Sequence, residues 1–226
     1  MYTSSFYIKT ILGLEGKSLK EISRLLLAYD EKRGYGFLDT NIFDNGIGST
    51  LVYKSIITQS LFEPSTKQFN NVQQTIYEQT SFEIFPSQNL IHIYDSERKT
   101  KNTIQYLSNS FRQKIGFEDV FADIPLILKK MTKLKIRYSI LSFSINNFRP
   151  QIGIIGKFTP SVSDTKVAQK IINAYHGDIT NIQLELRNTD TNYWYLTSNG
   201  KIAVKSSTSE MLQENIQVIK TLISGK

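Results

Sequence analysis

The feature that most restricts how these 226 residues can fold is a strand, tight turn, strand and amphipathic helix that occurs twice, 112 residues apart. Phe82 and Ile84 precede the first turn, Pro86-Ser87-Gln88-Asn89. Trp194 and Leu196 precede the second, Ser198-Asn199-Gly200-Lys201. The following helix carries Ile104, Leu107 and Phe111 in one copy and Ile216, Ile219 and Ile223 in the other, spacings that put three apolar residues on one helical face. An offset so close to half the chain predicts two similar halves, 1–113 and 114–226, the second opening with a basic connector. Two such halves build one symmetric surface, and that surface is a better guide to function than any catalytic motif.

Elements outside the two copies extend the parallel. Ser5 to Leu12 reads as a strand, and Ser18-Leu19-Lys20-Glu21 is a capping box that opens a helix with Leu19, Ile22, Leu25, Leu26 and Tyr29 on one face. Gly34, Gly36, Asn45, Gly46 and Gly48 predict a loop. Strands follow over 49–59, 72–85 and 90–94, then a helix over 96–113. In the second half a helix is predicted over 119–132, with Pro125 in its first turn, then strands over 134–146 and 151–159 and a helix over 164–175 ended by His176-Gly177. Strands over 179–187, 193–197 and 201–205 lead to a last helix capped by Ser207 and Glu210, with Asn199-Gly200 as a hairpin signal. Each half reads β-α-β-β-β-α, with one extra strand and the basic helix at the junction, which predicts an α+β fold: a curved antiparallel sheet, or saddle, with helices on one face.

Strand parity predicts what the uncovered face carries. Trp194, Leu196, Ile202 and Val204 share one side of the last hairpin and suit a core, while Tyr193, Tyr195, Thr197, Lys201, Ala203 and Lys205 share the other. That second set suits contact with sugars, bases and phosphates, and equally suits an ordinary wet sheet face.

Charge sharpens the choice of partner. The formal net charge is +7, and most of the excess lies in 97–137, where ten Lys and Arg face four Asp and Glu. A basic segment of this kind attracts a polyanion in a salt-dependent way or simply solvates a surface. Arg98, Lys99 and Lys101 stand in the first turns of a helix, where the macrodipole makes cations unfavourable by about 0.3–1 kcal/mol each, a cost that an anionic partner reverses. Lys129, Lys130, Lys133, Lys135 and Arg137 carry the same two readings.

Several chemistries are disfavoured. The chain has no cysteine, which removes disulfides, thiolate nucleophiles and Cys-based metal sites. His92 and His176 are not at ligand spacing, and each is expected to be structural. Asp178, Glu185 and Arg187 follow a metal-nuclease pattern only distantly, since Arg replaces its Lys. Gly153-Ile154-Ile155-Gly156-Lys157 is too short for a phosphate-binding loop. No cofactor and no catalysis are expected. No apolar run is long enough to span a bilayer, and Met1-Tyr2-Thr3-Ser4-Ser5 begins neither a signal nor a transit peptide, so the expectation is an intracellular protein, cytoplasmic or nuclear, without a membrane partner.

The twofold order, with a hairpin feeding a long helix in each half, resembles the saddle of the TATA-box-binding protein family over about three-quarters of the chain. Glu63-Pro64-Ser65-Thr66-Lys67-Gln68-Phe69 is similar to that family's segment before one strand. Ile84-Phe85-Pro86-Ser87-Gln88-Asn89 and Tyr195-Leu196-Thr197-Ser198-Asn199-Gly200-Lys201 are similar to its Ile-Phe-x-Ser-Gly-Lys hairpin. The resemblance implies minor-groove binding of duplex DNA by Phe69, Phe85, Asn89, Ile91, Ile93, Asn147, Tyr193, Tyr195, Thr197, Lys201, Ala203 and Lys205. Phe69 and Phe85 fall where the family places aromatic wedges, although packing in the core is the competing reading for both. RNA polymerase or a TFIIB-like factor would be the protein partner. The second half departs from the pattern with Leu196, Thr197 and Ile179 at the wedge positions, and Glu83 shares the parity of Phe85. Such divergence resembles the TATA-binding-like factors of large nucleocytoplasmic DNA viruses. Thr75 to Phe111 also resembles the strand-turn-strand-helix unit of the RdgC recombination-associated family and of RexA-type phage exclusion proteins, which implies sequence-independent duplex binding. A protein-interaction component whose basic segment meets an acidic partner is the reading from a different class.

Overall fold

The computed structural model describes residues 1–151, 153–187 and 191–224. Among them the order is β1 (Tyr2–Leu12), α1 (Leu19–Leu25), β2 (Tyr35–Phe43), β3 (Gly46–Glu63), β4 (Gln68–Phe85), β5 (Leu90–Tyr94), α2 (Glu97–Ser110), β6 (Gly116–Asp119) and α3 (Ile124–Lys133). Then come β7 (Tyr138–Gln151), β8 (Ile154–Phe158), α4 (Thr165–Ala174), β9 (Ile179–Arg187), β10 (Thr191–Thr197), β11 (Lys201–Ser206) and α5 (Ser209–Ser224). The chain is α+β with antiparallel ladders, as its alternation predicts. Ile152, inside the predicted strand 151–159, lies outside the described residues. Two compact units are present: residues 11–117, and residues 1–10 with 118–226.

In the 11–117 unit the strand order is β2-β3-β4-β5. Phe37, Ile47, Leu51, Phe82, Ile84, Ile91 and Ile93 form its core with Ile22 of α1 and Leu107 of α2. The capping box is formed: the Glu21 amide donates to Ser18 Oγ (3.3 Å), and the Ser18 amide donates to Glu21 Oε2 (2.8 Å). The helix is shorter than its apolar spacing predicts, ending at Leu25, because the chain turns so that the Phe37 amide can donate to the Leu27 carbonyl.

The predicted loop at Gly34–Gly48 is corrected to strand β2, a tight turn at Asp44-Asn45 and the start of β3. Glycine here serves a close approach rather than a turn, for a Cβ on Gly36 would lie 2.1 Å from Tyr29 Cα. β3 and β4 are also longer than predicted, pairing without interruption from Ile47–Ile84 to Glu63–Gln68. β2 accompanies β3 only as far as Tyr53, and β5 accompanies β4 only from Ser81. The outer part of the hairpin is therefore a two-stranded ribbon.

In the 118–226 unit the order is β1-β11-β10-β9-β7-β8. Ile182, Leu184, Trp194, Leu196, Ile202 and Val204 are fully buried, together with Met131 of α3, Ile172 of α4 and Ile219 of α5. α3 begins at Ile124, later than predicted, because Asp123 caps it: its Oδ1 accepts from the Leu126 amide (2.9 Å), and Pro125 occupies the first turn as expected. In α5 the cap is Thr208 rather than Ser207, with Thr208 Oγ1 accepting from the Met211 amide (3.2 Å).

Candidate nucleic-acid interface

The hairpin β10–β11 sets up the open face of the 118–226 unit. Directly paired residues in an antiparallel ladder share a face, so burying Trp194 opposite Val204, and Leu196 opposite Ile202, turns the intervening residues out. Gly200, at φ +79°, closes the turn close to β1, where a Cβ would lie 2.6 Å from the Ile8 carbonyl oxygen.

Three cross-strand rows result. Thr3, Lys205, Tyr193, Glu185 and Ser139 form one, and Ser5, Ala203, Tyr195 and Gln183 the next. In the third, Tyr7 pairs with Lys201, whose Nζ lies 5.8 Å from the Tyr7 ring centroid, while Thr197 pairs with Asn181 and Asn181 with Ser144. All six hairpin residues predicted for the open face are on it. Their hydroxyls and two ammonium groups, with the amides of Gln183 and Asn181 beside them, suit sugar and phosphate oxygens, and Glu185 is the carboxylate within these rows.

The opposite outcome holds for Ile91 and Ile93. They pair directly with Ile84 and Phe82 and are fully buried, so the expectation that they touch DNA is corrected. The cause is turn length. Pro86–Asn89 is a four-residue loop with a 3-10 turn and Asn89 in the left-handed region, whereas Ser198–Gly200 is a three-residue loop, and one residue of slip exchanges the faces of a strand. Asn89 itself is engaged by its backbone, its carbonyl accepting from the Ile11 amide (2.8 Å).

Phe69 and Phe85 do not share an environment. Phe69 is 70% exposed at the ribbon end, 5.3 Å from the Phe62 ring centroid, so packing in the core is excluded for it. Phe85 is half-buried, its ring 5.7 Å from Phe43 and 4.8 Å from His92. Glu83 shares its face, as parity predicted, and accepts from Tyr94 Oη (2.5 Å). Burial and that carboxylate hold the Tyr94 hydroxyl protonated far above its ordinary range. Around Phe85 the paired positions Thr50, Ser81, Glu83, His92 and Tyr94 carry no Lys or Arg, and Lys54, further along the same face opposite Tyr77, is held by Glu31 (3.0 Å). Asn147, in the left-handed region within a bulged stretch of β7, donates to Asp178 Oδ1 (3.0 Å) rather than standing open to a base edge.

Internal carboxylates answer the cations at the start of α2. Arg98 pairs bidentately with buried Glu78, Lys99 Nζ with Asp95 (2.9 Å) and Lys101 Nζ with Glu97 (2.8 Å), so the helix-end penalty is offset without an outside anion. Arg98 holds the Glu78 carboxyl below the ordinary 4.5. A depressed carboxylate contributes stability that is present above its ordinary value and is lost as pH falls through its folded value. The stability difference between wild type and Glu78→Gln should therefore shrink as urea melts are moved from about pH 6 to about pH 3. A difference independent of pH would show that the pair does not set it.

The second basic cluster is dispersed. Lys130 Nζ donates to the Leu222 carbonyl (2.8 Å). Lys129 and Lys133 border a groove of about 660 Å³ between α3 and α4, with Tyr138 and Gln169, while exposed Lys135 and Arg137 border a different depression beside Trp194. His176 Nε2 lies 3.2 Å from Asp123 Oδ2 in that first groove. Among the described residues no three His, Asp or Glu side chains are grouped to hold a metal, and no helix is long and apolar enough to cross a membrane.

Sequence reasoning missed Thr3 and Ser5, which join the open face because β1 pairs with β11, and Tyr7, which shares their parity but is itself buried. The signal was the alternation of Ser5 and Tyr7 with Phe6 and Ile8, both fully buried. No protein-family model matches this chain, and no curated protein is similar to it.

Proposed function

We propose that this chain binds double-stranded DNA without acting on it chemically, using the Tyr/Lys face of the 118–226 unit against the sugar-phosphate backbone. The observation that carries this reading is the set of rows through Tyr193, Tyr195, Thr197, Lys201 and Lys205, with helices reserved to the core side of the same strands. Stacking and hydroxyl contacts of this kind position a protein on a duplex but read little sequence.

The placement of the aromatic residues favours the sequence-independent, RdgC-like or RexA-like mode over wedge insertion. Phe85 has ring partners and a carboxylate beside it, and Ile91 and Ile93 are in the core. The alternative belongs to the TATA-binding-like resemblance: two duplicated half-saddles that bend the minor groove and recruit RNA polymerase or a TFIIB-like factor in transcription initiation. The paired hairpin-and-helix units, β4-β5-α2 and β10-β11-α5, support that alternative.

Fluorescence anisotropy with AT-rich and GC-rich duplexes, at several salt concentrations, tests binding. Energy transfer between dyes on the two DNA ends tests bending. The expected result is salt-sensitive binding to both duplexes with similar affinity, no change in end-to-end distance, and no effect of Phe85→Ala on either readout. Bending that is lost in Phe85→Ala would establish the wedge mode instead, and no binding to any duplex would end the DNA reading altogether.

A further inference from the structure

Among the described residues no strand flanks the outer part of the β3–β4 hairpin. On β4 the exposed edge runs from Gln68 to Tyr77, since β5 pairs only from Ser81 and the Gln79 carbonyl already accepts from Lys99 Nζ (3.2 Å). These ten residues, Gln-Phe-Asn-Asn-Val-Gln-Gln-Thr-Ile-Tyr, contain no charge, no proline and no glycine. Proteins ordinarily protect an open edge with lysine, proline or a bulge. The outer stretch of β3 has such protection, with Lys54 and Glu63 at its ends and Pro64 beyond. The β4 edge has none, and a lone two-stranded ribbon is marginally stable in water.

The chemistry of the edge selects its occupant. Between Ser55 and Ile76 the ribbon carries one acid, Glu63, and one base, Lys67, so it offers no array of cations to phosphates. Neither ribbon face is continuously apolar: Ile56, Thr58, Ser60 and Phe62 alternate with Ile57, Gln59 and Leu61, which does not suit a lipid surface. What fits is another uncharged strand edge, joined by main-chain hydrogen bonds. We propose that a second copy of this chain supplies it, the two β4 edges pairing antiparallel about a twofold axis at Gln73 to give a continuous four-stranded ribbon.

Strand geometry narrows the register, and the two exposed aromatic residues select within it. Opposite residues in an antiparallel pair share a face, so the axis must pass through a residue and not between two. At Gln73, Phe69 meets Tyr77 of the second copy, Asn71 meets its Thr75, and Gln73 meets itself. Phe69 and Tyr77, 70% and 53% exposed, become a cross-strand aromatic pair on each side of the axis. An axis at Thr75 would instead bring in Glu78, which Arg98 holds, and one at Asn71 would run the pairing past the end of the strand. Nine facing residues give about eight to ten main-chain hydrogen bonds, comparable to the roughly ten of a standard protein interface. This pairing is independent of whether the chain binds DNA.

The absence of cysteine makes the register directly testable. Gln73→Cys places two thiols across the axis at a Cα separation of about 4.5–5.5 Å, within disulfide range. In a glutathione redox buffer it should run as a covalent dimer on non-reducing gels. Thr58→Cys, opposite Gln73 but on β3 of the same chain, should stay monomeric. Wild type should sediment as a dimer. The double variant Asn71→Lys with Thr75→Lys, which sets like charges opposite each other twice, should sediment as a monomer with an unchanged circular dichroism spectrum. Asn71→Glu with Thr75→Lys, which sets opposite charges there, should remain a dimer. Monomeric wild type at every concentration, equal cross-linking of Gln73→Cys and Thr58→Cys, or a dimer that survives the two lysines would each overturn the proposal.

Discussion

Replacing Lys201 and Lys205 together by alanine should weaken duplex binding and flatten its salt dependence. Each phosphate contact contributes about 0.9 to the slope of log affinity against log salt, so two lost contacts lower the slope by about 1.8. Between about 50 and 200 mM salt the wild type should then lose roughly tenfold more affinity than the double variant. The positions allow a clean reading, because Ala203 lies between them on β11 and pairs with Tyr195 rather than with a charge. Their side chains stand on the face opposite Ile202 and Val204, so thermal stability should change little. Anisotropy titrations at four or more salt concentrations supply the slopes. If the double variant keeps the wild-type slope, the DNA surface lies elsewhere, and the exposed Lys129 and Lys133 on α3 are the next cations to test.

The largest stability effect is expected at Trp194. It is the single tryptophan of the chain, it is fully buried, and Leu184 and Val204 flank it across the ladders. Trp194→Ala removes that volume from a close-packed interior and should cost about 3–5 kcal/mol. At about 2–4 °C per kcal/mol for a chain of this size, the melting temperature should fall by roughly 10 °C. Tyr195→Ala, one residue on but on the open face, should stay within about 1 kcal/mol of wild type. The contrast between neighbours isolates strand parity from any general sensitivity of β10. Wild-type tryptophan emission should also be blue-shifted and resist quenching by acrylamide. Similar melting of the two variants would mean that the alternation places the wrong face in the core.

Much of this was legible because the last hairpin alternates without ambiguity. Bulky apolar residues at 194, 196, 202 and 204 and polar or small ones between them leave a single consistent assignment of faces. The first hairpin has apolar residues at consecutive positions, Leu90 and Ile91, so its faces depend on turn length. The left-handed Asn89 that sets that length has no unique signature in the sequence. β2 was hidden for a similar reason, since Gly36 reads as a turn when only the sequence is known and as a packing requirement once Tyr29 is seen against it. The partners of α2 were unreadable on other grounds. Glu78 precedes Arg98 by 20 residues, and only the passage of β4 beside α2 brings them together. Asp95–Lys99 and Glu97–Lys101, by contrast, stand at helical i, i+4 spacing and were open to prediction.

The unequal turns have a consequence for how such a chain can change over generations. Gaining or losing one codon between Thr197 and Lys201 would exchange every inward and outward side chain of β11, sending Lys205 toward the core and Val204 into water. Selection should hold that length fixed even while the residues within it drift. At Pro64–Lys67, where the two ribbon strands meet solvent on both faces, added residues disturb no core. Length variation among descendants of this chain should therefore collect at the ribbon end and be nearly absent from the β10–β11 turn, so a gene alignment would carry the imprint of which strands have something to hide.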